Sequence, residues 1–172
     1  MPFIYKGDLE NANSGRVMID ILLADSTAFT IGDAVKFDGL TGTAILWGAG
    51  GTGAGILLGF KKADGSPVTD NGAGGDFVDT YTTPASNTVV ARVDVSKTSL
   101  YSAPLDAAAG TTTGSDKAGV NFDLVSASDT LDESSVVAAG TTASFNSLGL
   151  DPDVKAQTNA VIVKIQESQL DI

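Results

Sequence analysis

The chain of 172 residues contains no cysteine and no histidine. Without cysteine there is neither a disulfide framework nor a thiol nucleophile. Without histidine the commonest general base, the usual zinc ligand and every Ser-His-Asp triad are missing. Most hydrolytic and metal-dependent chemistries lose their usual parts, and no catalytic, cofactor or metal residue is assigned. Positive charge is also scarce: ten Lys and Arg stand against 21 Asp and Glu, for a net charge of −11. The ten are scattered, Lys61-Lys62 being the one adjacent pair. Phosphate binding needs clustered cations, so neither nucleic acid nor an anionic membrane is an expected partner. Long apolar runs are absent too. The window Ala54 to Phe60 is far too short to span a bilayer. The first fifteen residues, "MPFIYKGDLENANSG", have no basic n-region and no apolar core, and the expectation is synthesis without a Sec signal.

Aromatic residues make up only 6% of the chain, while hydrophobic residues as a whole make up 42%. The core should therefore be built mostly from Val, Ile, Leu and Ala. Twenty glycines, with many Thr, Ser and Asp, indicate numerous turns and few long helices. Where periodicity is legible, it is two. "TVVARVDV" (Thr88 to Val95) sets Val89, Ala91, Val93 and Val95 on one face, and "NAVIVKIQES" sets Val161, Val163 and Ile165 on one face. "RVMIDILL", "TAILW", "ASFNSLGL" and "DAVKFDG" are further strand candidates, the last ending in an Asp-Gly turn signal. Helical signals are confined to "PDVKAQTNA", with Asp151 as a cap and Pro152 at the first helical position, and to a short turn within "SLYSAPLDAAAG". The expected fold is all-β: a single antiparallel β-barrel or sandwich with long glycine-rich loops and at most one short helix.

One motif invites a different reading. Gly48, Gly50 and Gly53 in "WGAGGTGAGILLGF" match the dinucleotide spacing G-x-G-x-x-G. That site requires a helix after the glycines. The residues beyond Gly53 instead include Gly55, Gly59 and an Asp-Gly turn, with no polar face at helical spacing. The stretch reads as two strands joined by a glycine-rich hairpin turn, with no cofactor. Asp64, Asp70, Asp76 and Asp79, and later Asp151 and Asp153, could hold Ca²⁺, but their spacing does not fit the twelve-residue calcium loop. They read as solvated loop charge. A glycosidase carboxylate pair would sit among stacking aromatics, and one Trp and three Tyr offer few. Trp47 reads as a core or interface anchor.

The order of segments resembles the small β-rich decoration, or cement, proteins of tailed-bacteriophage heads. The resemblance runs from "FTIGDAVKFDG" and "TAILWGAGGTGAGILLGF" through "TVVARVDVSKTSLYSAPLDAAAGT" to "SFNSLGLDP" and "NAVIVKIQESQL", roughly Phe29 to Leu170. It implies a non-enzymatic virion protein, made in the host cytoplasm and placed on the capsid exterior. Such a protein bridges major capsid protein subunits and is commonly a homotrimer. A tail- or fibre-associated carbohydrate-binding β module is the alternative. On the decoration reading, residues 1–15 form an N-terminal arm. Residues 16–172 form the β domain, with a flexible insert at about 106–119. Phe3, Ile4, Tyr5 and Trp47 are then the expected contacts to capsid or sister subunit.

Overall fold

A computed structural model of the chain describes residues 3–8, 16–48, 53–69, 78–110, 115–116, 118–125, 129–136, 143–153 and 159–166. Twelve strands lie among them: β1 Ile4–Asp8, β2 Met18–Leu22, β3 Ala28–Thr30, β4 Ala34–Phe37, β5 Ala44–Leu46, β6 Gly55–Lys61, β7 Thr80–Thr82, β8 Val90–Asp94, β9 Ser99–Pro104, β10 Asn121–Phe122, β11 Phe145–Leu150 and β12 Ala160–Ile165. The one helical element among the described residues is a 3₁₀ turn at Glu133–Ser135, capped by Asp132, whose side chain accepts from Ser134 N. The fold is all-β and its sheets are antiparallel, as the alternation implied. Most of the short helix expected from Pro152 onward, residues 154–158, lies outside the described residues.

Two five-stranded sheets carry the structure, in the orders β1-β9-β12-β11-β10 and β2-β8-β6-β4-β5, with a β3-β7 ribbon beside them. The second sheet curls on itself. A parallel bridge joins Leu23, just past β2, to Ala44 at the start of β5, and Ala24 N donates to Ala44 O. Its interior takes the alternating side chains read from sequence: Val89, Ala91, Val93 and Val95 pack with Leu23, Phe29, Val35, Leu57 and Phe60. The first sheet turns Val161, Val163 and Ile165 of β12 into a separate cluster. There they meet Phe3, Tyr101, Phe122 and Phe145, together with Ala34, Trp47 and Ile56 from the second sheet. This second cluster glues the two sheets together by burial of apolar area.

Three expectations are corrected. First, the glycine stretch is not a hairpin connection. β5 and β6 both pair with β4, which lies between them, so the two strands that flank the glycines are not hairpin neighbours; residues 49–52 lie outside the described residues. Trp47 constrains the entry to β6: its ring is fully buried, and a Cβ on Gly53 would sit 1.9 Å from it, so only glycine lets the chain pass there. Second, the turn expected within "SLYSAPLDAAAG" is a strand over Ser99–Pro104, paired on one side with β1 and on the other with β12. Tyr101, Ala103 and Leu105 alternate into the core and hold it extended. Third, the arm expected over residues 1–15 supplies an edge strand. β1 pairs with β9, and Phe3 is a core residue; residues 1–2 and 9–15 lie outside the described residues. A bulge between Tyr5 and Gly7, with Gly7 at φ +144°, lets β1 follow the bend of the sheet.

Of the stretch expected as an insert, residues 111–114 and 117 lie outside the described residues. Its flanks are tied down. Asp106 N donates to Leu131 O, Glu133 N donates to Asp106 Oδ1, and Ser115 Oγ both accepts from Gly110 N and donates to Glu133 Oε1.

Candidate interaction surface

The chain passes from one sheet to the other between β8 and β9, and a single buried carboxylate organises that corner. Asp94 ends β8 with its side chain between the sheets. Its Oδ2 accepts from Tyr101 OH at 2.6 Å, Ser99 Oγ at 2.9 Å and Arg16 Nε at 2.9 Å, while Oδ1 accepts from Ser96 N at 3.0 Å. Burial alone would raise this carboxyl. The donors around it outweigh burial and hold it below the ordinary aspartate range. Burial and the neighbouring carboxylate push the Tyr101 hydroxyl up, so it stays protonated and donating. Gly55 of β6 meets the same corner, where a Cβ would lie 2.1 Å from Asp94 O.

Arg16 extends the corner outward, its guanidinium lying 3.6 Å from the centroid of the Tyr5 ring. Tyr5 meets Tyr101 edge-on at 6.1 Å, Tyr101 meets Phe3 at 6.4 Å, Phe3 meets Phe145 at 4.9 Å, and Phe145 meets Trp47 at 5.1 Å. Five rings thus run from the surface at Tyr5 to the interior at Trp47. The other face of β1 is held by charge. Lys6 lies 3.3 Å from Asp151 Oδ2 and 3.1 Å from Asp153 Oδ2. Burial would raise the Asp151 carboxyl, but the Ser102 hydroxyl, Asp153 N and Lys6 hold it low. Asp151 and Asp153 therefore clamp β1. Among the described residues no three acidic side chains gather as a cation would require. Asp64 is engaged by Ser66 N and Oγ, and Asp70 and Asp76 lie outside the described residues.

Three of the four expected contact residues meet in one place. Phe3, Ile4 and Tyr5 line a groove of about 530 Å³ between the β1 edge and the second sheet, with Ile31, Leu57, Leu58 and Asp79 among its other walls. Phe3 N donates to Gly32 O and Gly32 N donates to Leu57 O, which fastens the edge strand across the groove. Ile4 and Tyr5 are exposed, while Phe3 is buried beneath them. Trp47 is corrected to the core: the ring is fully buried against Gly53 and Phe145 and presents nothing to a partner within this chain's own surface. Among the described residues, Gly53 is followed by strand β6 and not by the helix that a pyrophosphate site would need; Gly50 lies outside the described residues.

Sequence reading misses the Asp94 corner and the groove walls at Ile31, Leu58 and Asp79. Asp94 sits at an outward position of a legible strand, which signals solvent. Its principal partner outside the corner, Arg16, is 78 residues away. No family model, no curated protein and no solved structure matches the chain.

Proposed function

We propose that this chain is a non-enzymatic structural protein of a tailed-phage virion. It binds the outer surface of the capsid, stabilises the shell by bridging major capsid protein subunits, and associates with copies of itself. The observation that carries the reading is the groove at β1, where exposed Ile4 and Tyr5 flank a recess with mostly apolar walls. An apolar edge held rigidly by the Lys6 clamp and the Asp94 corner is built for docking against another protein surface. The segment order that resembles head decoration proteins supports the same reading. A protein that binds only the mature shell adds its binding free energy to that shell, multiplied over many copies.

The test is co-sedimentation of the purified chain with expanded heads that lack it. Wild type is expected to saturate the heads, and Ile4→Glu is expected to lower occupancy without unfolding the protein, since Ile4 is 41% exposed. Equal occupancy by the variant would refute the groove as the contact. The carbohydrate-binding alternative requires an exposed ring to stack on sugar. Trp47 and Tyr101 are fully buried, Tyr81 is half-buried against Phe60 and Arg16 covers a face of Tyr5, so a glycan array is expected to stay blank.

A further inference from the structure

The most exposed large apolar side chain among the described residues is Leu40, at 97%. It sits at the tip of the β4–β5 hairpin, on a turn far stiffer than a loop of this length needs. Asp38 Oδ1 accepts from Leu40 N at 3.0 Å and Oδ2 accepts from Thr41 Oγ1 at 2.7 Å. Asp38 N donates to Thr43 O, Gly42 N donates to Asp38 O, and Thr41 Oγ1 lies 2.7 Å from Thr43 Oγ1. The turn thus presents one leucine, with an acidic residue beneath it, in a fixed position. Half-exposed Leu22 and the carboxylate of Asp25 line the recess beside it together with Asp38. A preorganised side chain loses little entropy on insertion into a pocket, which is what makes such a knob effective.

The same chain carries a socket of matching chemistry. A recess of about 300 Å³ is walled by Ile31, Leu58, Phe60, Val68 and Val78, with Lys61 and Arg92 at its rim. Lys61 and Arg92 share the carboxylate of Asp20, and Lys62 follows next in the chain beside Asp64. The lining of the recess thus carries two cations, both paired with Asp20, and no carboxylate of its own among the described residues, on a chain whose net charge is −11. The recess beside Leu22 has Asp25 and Asp38 in its walls, and the groove at β1 has Asp79, so both repel an acidic knob. We infer that the Asp38–Leu40 turn of one copy docks into the Lys61/Arg92-rimmed recess of a second copy. The contact joins two different surfaces, so it is heterologous and propagates head to tail until a ring closes. This inference rests on the self-association part of the proposed function and does not depend on the capsid.

Sedimentation of the full chain over a range of concentrations tests it, in the absence of phage heads. Wild type is expected to associate as concentration rises, and Leu40→Glu is expected to weaken association by at least about tenfold. Arg92→Glu is expected to do the same from the other side of the contact. Mixing the two variants is the decisive arm, because one retains an intact socket and the other an intact knob. A heterologous contact predicts that the mixture forms 1:1 dimers and nothing larger. Monomeric wild type would overturn self-association altogether, leaving head binding to be judged by co-sedimentation. Associating wild type with undiminished association of Leu40→Glu would overturn this contact alone. A mixture that stays monomeric would overturn its head-to-tail character. Thermal unfolding of both variants establishes that they are folded; were Arg92→Glu unstable, Leu40→Glu would still test the contact and Lys61→Glu would replace Arg92→Glu in the mixture.

Discussion

The two sheets solve the problem of a small core in different ways. The curled sheet fills itself mainly with short aliphatics, Val35, Leu57, Ala91, Val93 and Val95 among them, supplied at every second position of its strands. The other sheet has less regular strands and relies on large rings, Phe3, Tyr101, Phe122, Phe145 and the Trp47 that it borrows from its neighbour. A protein with 6% aromatics has thus placed four of its five largest fully buried side chains, Trp47, Tyr101, Phe122 and Phe145, at one junction. The difference teaches where each half is vulnerable. Small aliphatics share the load among many interchangeable contacts, whereas a chain of edge-on and tilted rings concentrates it.

Truncation should expose that asymmetry most strongly. Phe145 contacts both Phe3 and Trp47 and is fully buried, so Phe145→Ala is expected to cost about 3–5 kcal/mol. Val93→Ala, equally buried in the other cluster, removes two methyl-sized groups and is expected to cost about 2 kcal/mol. Urea unfolding of both variants gives the comparison directly. Equal losses would mean that the rings carry no special share.

Next in size is the joint between the halves. Asp94→Ala leaves Tyr101 OH, Ser99 Oγ and the Arg16 guanidinium without their acceptor, an expected loss of about 3 kcal/mol by the same measurement. Acid should act on the same group. Because the folded-state pKa of Asp94 lies below its unfolded value, the unfolded chain binds the extra proton first. Its contribution is complete above the ordinary aspartate pKa of 3.8 and is lost as pH falls through the lower folded value. Asp151 and Asp20 shift in the same direction and add to the slope. Unfolding midpoints should therefore fall steeply below about pH 4 in wild type and less steeply in Asp94→Ala. Parallel pH profiles would remove Asp94 from the account.

How much of this is legible in the sequence depends on how local each determinant is. β8 and β12 can be read because alternation runs their whole length and each faces one core. β3, β7 and β10 are two or three residues long, too short for a period to register. β9 is obscured by its serines, which are buried rather than solvated: Ser99 donates to Asp94, and Ser102 bonds the Asp151 carboxylate. β1 reads as an arm because its partner, β9, lies almost a hundred residues on, and apolar residues without a nearby partner suggest exposure. The groove at Phe3, Ile4 and Tyr5 is foreshadowed only in the residues that line one side of it. The walls from Ile31, Leu58 and Asp79 arrive through pairing between distant segments, as does the place of β4 between β5 and β6 that rules out the expected hairpin.

The smallest predicted effects concern two glycines a few residues apart, and they sharpen the contrast between the halves at the seam. Gly53 lies against the Trp47 ring, with a Cβ position 1.9 Å from ring carbon Cε3. The ring is also packed on Phe145 and cannot swing away, so Gly53→Ala must displace the entry to β6 or the packed rings. The expected cost is about 1–3 kcal/mol. Gly59 sits at the β6 bulge opposite Arg92, and a Cβ there meets nothing within 4 Å. Gly59→Ala is therefore expected to change stability by no more than about 0.5 kcal/mol, with reduced freedom of the unfolded chain offsetting any adjustment of the bulge. Denaturation midpoints of the two variants decide the point. A loss at Gly59 as large as that at Gly53 would mean that strand geometry, and not the buried tryptophan, is what requires glycine in this part of the chain.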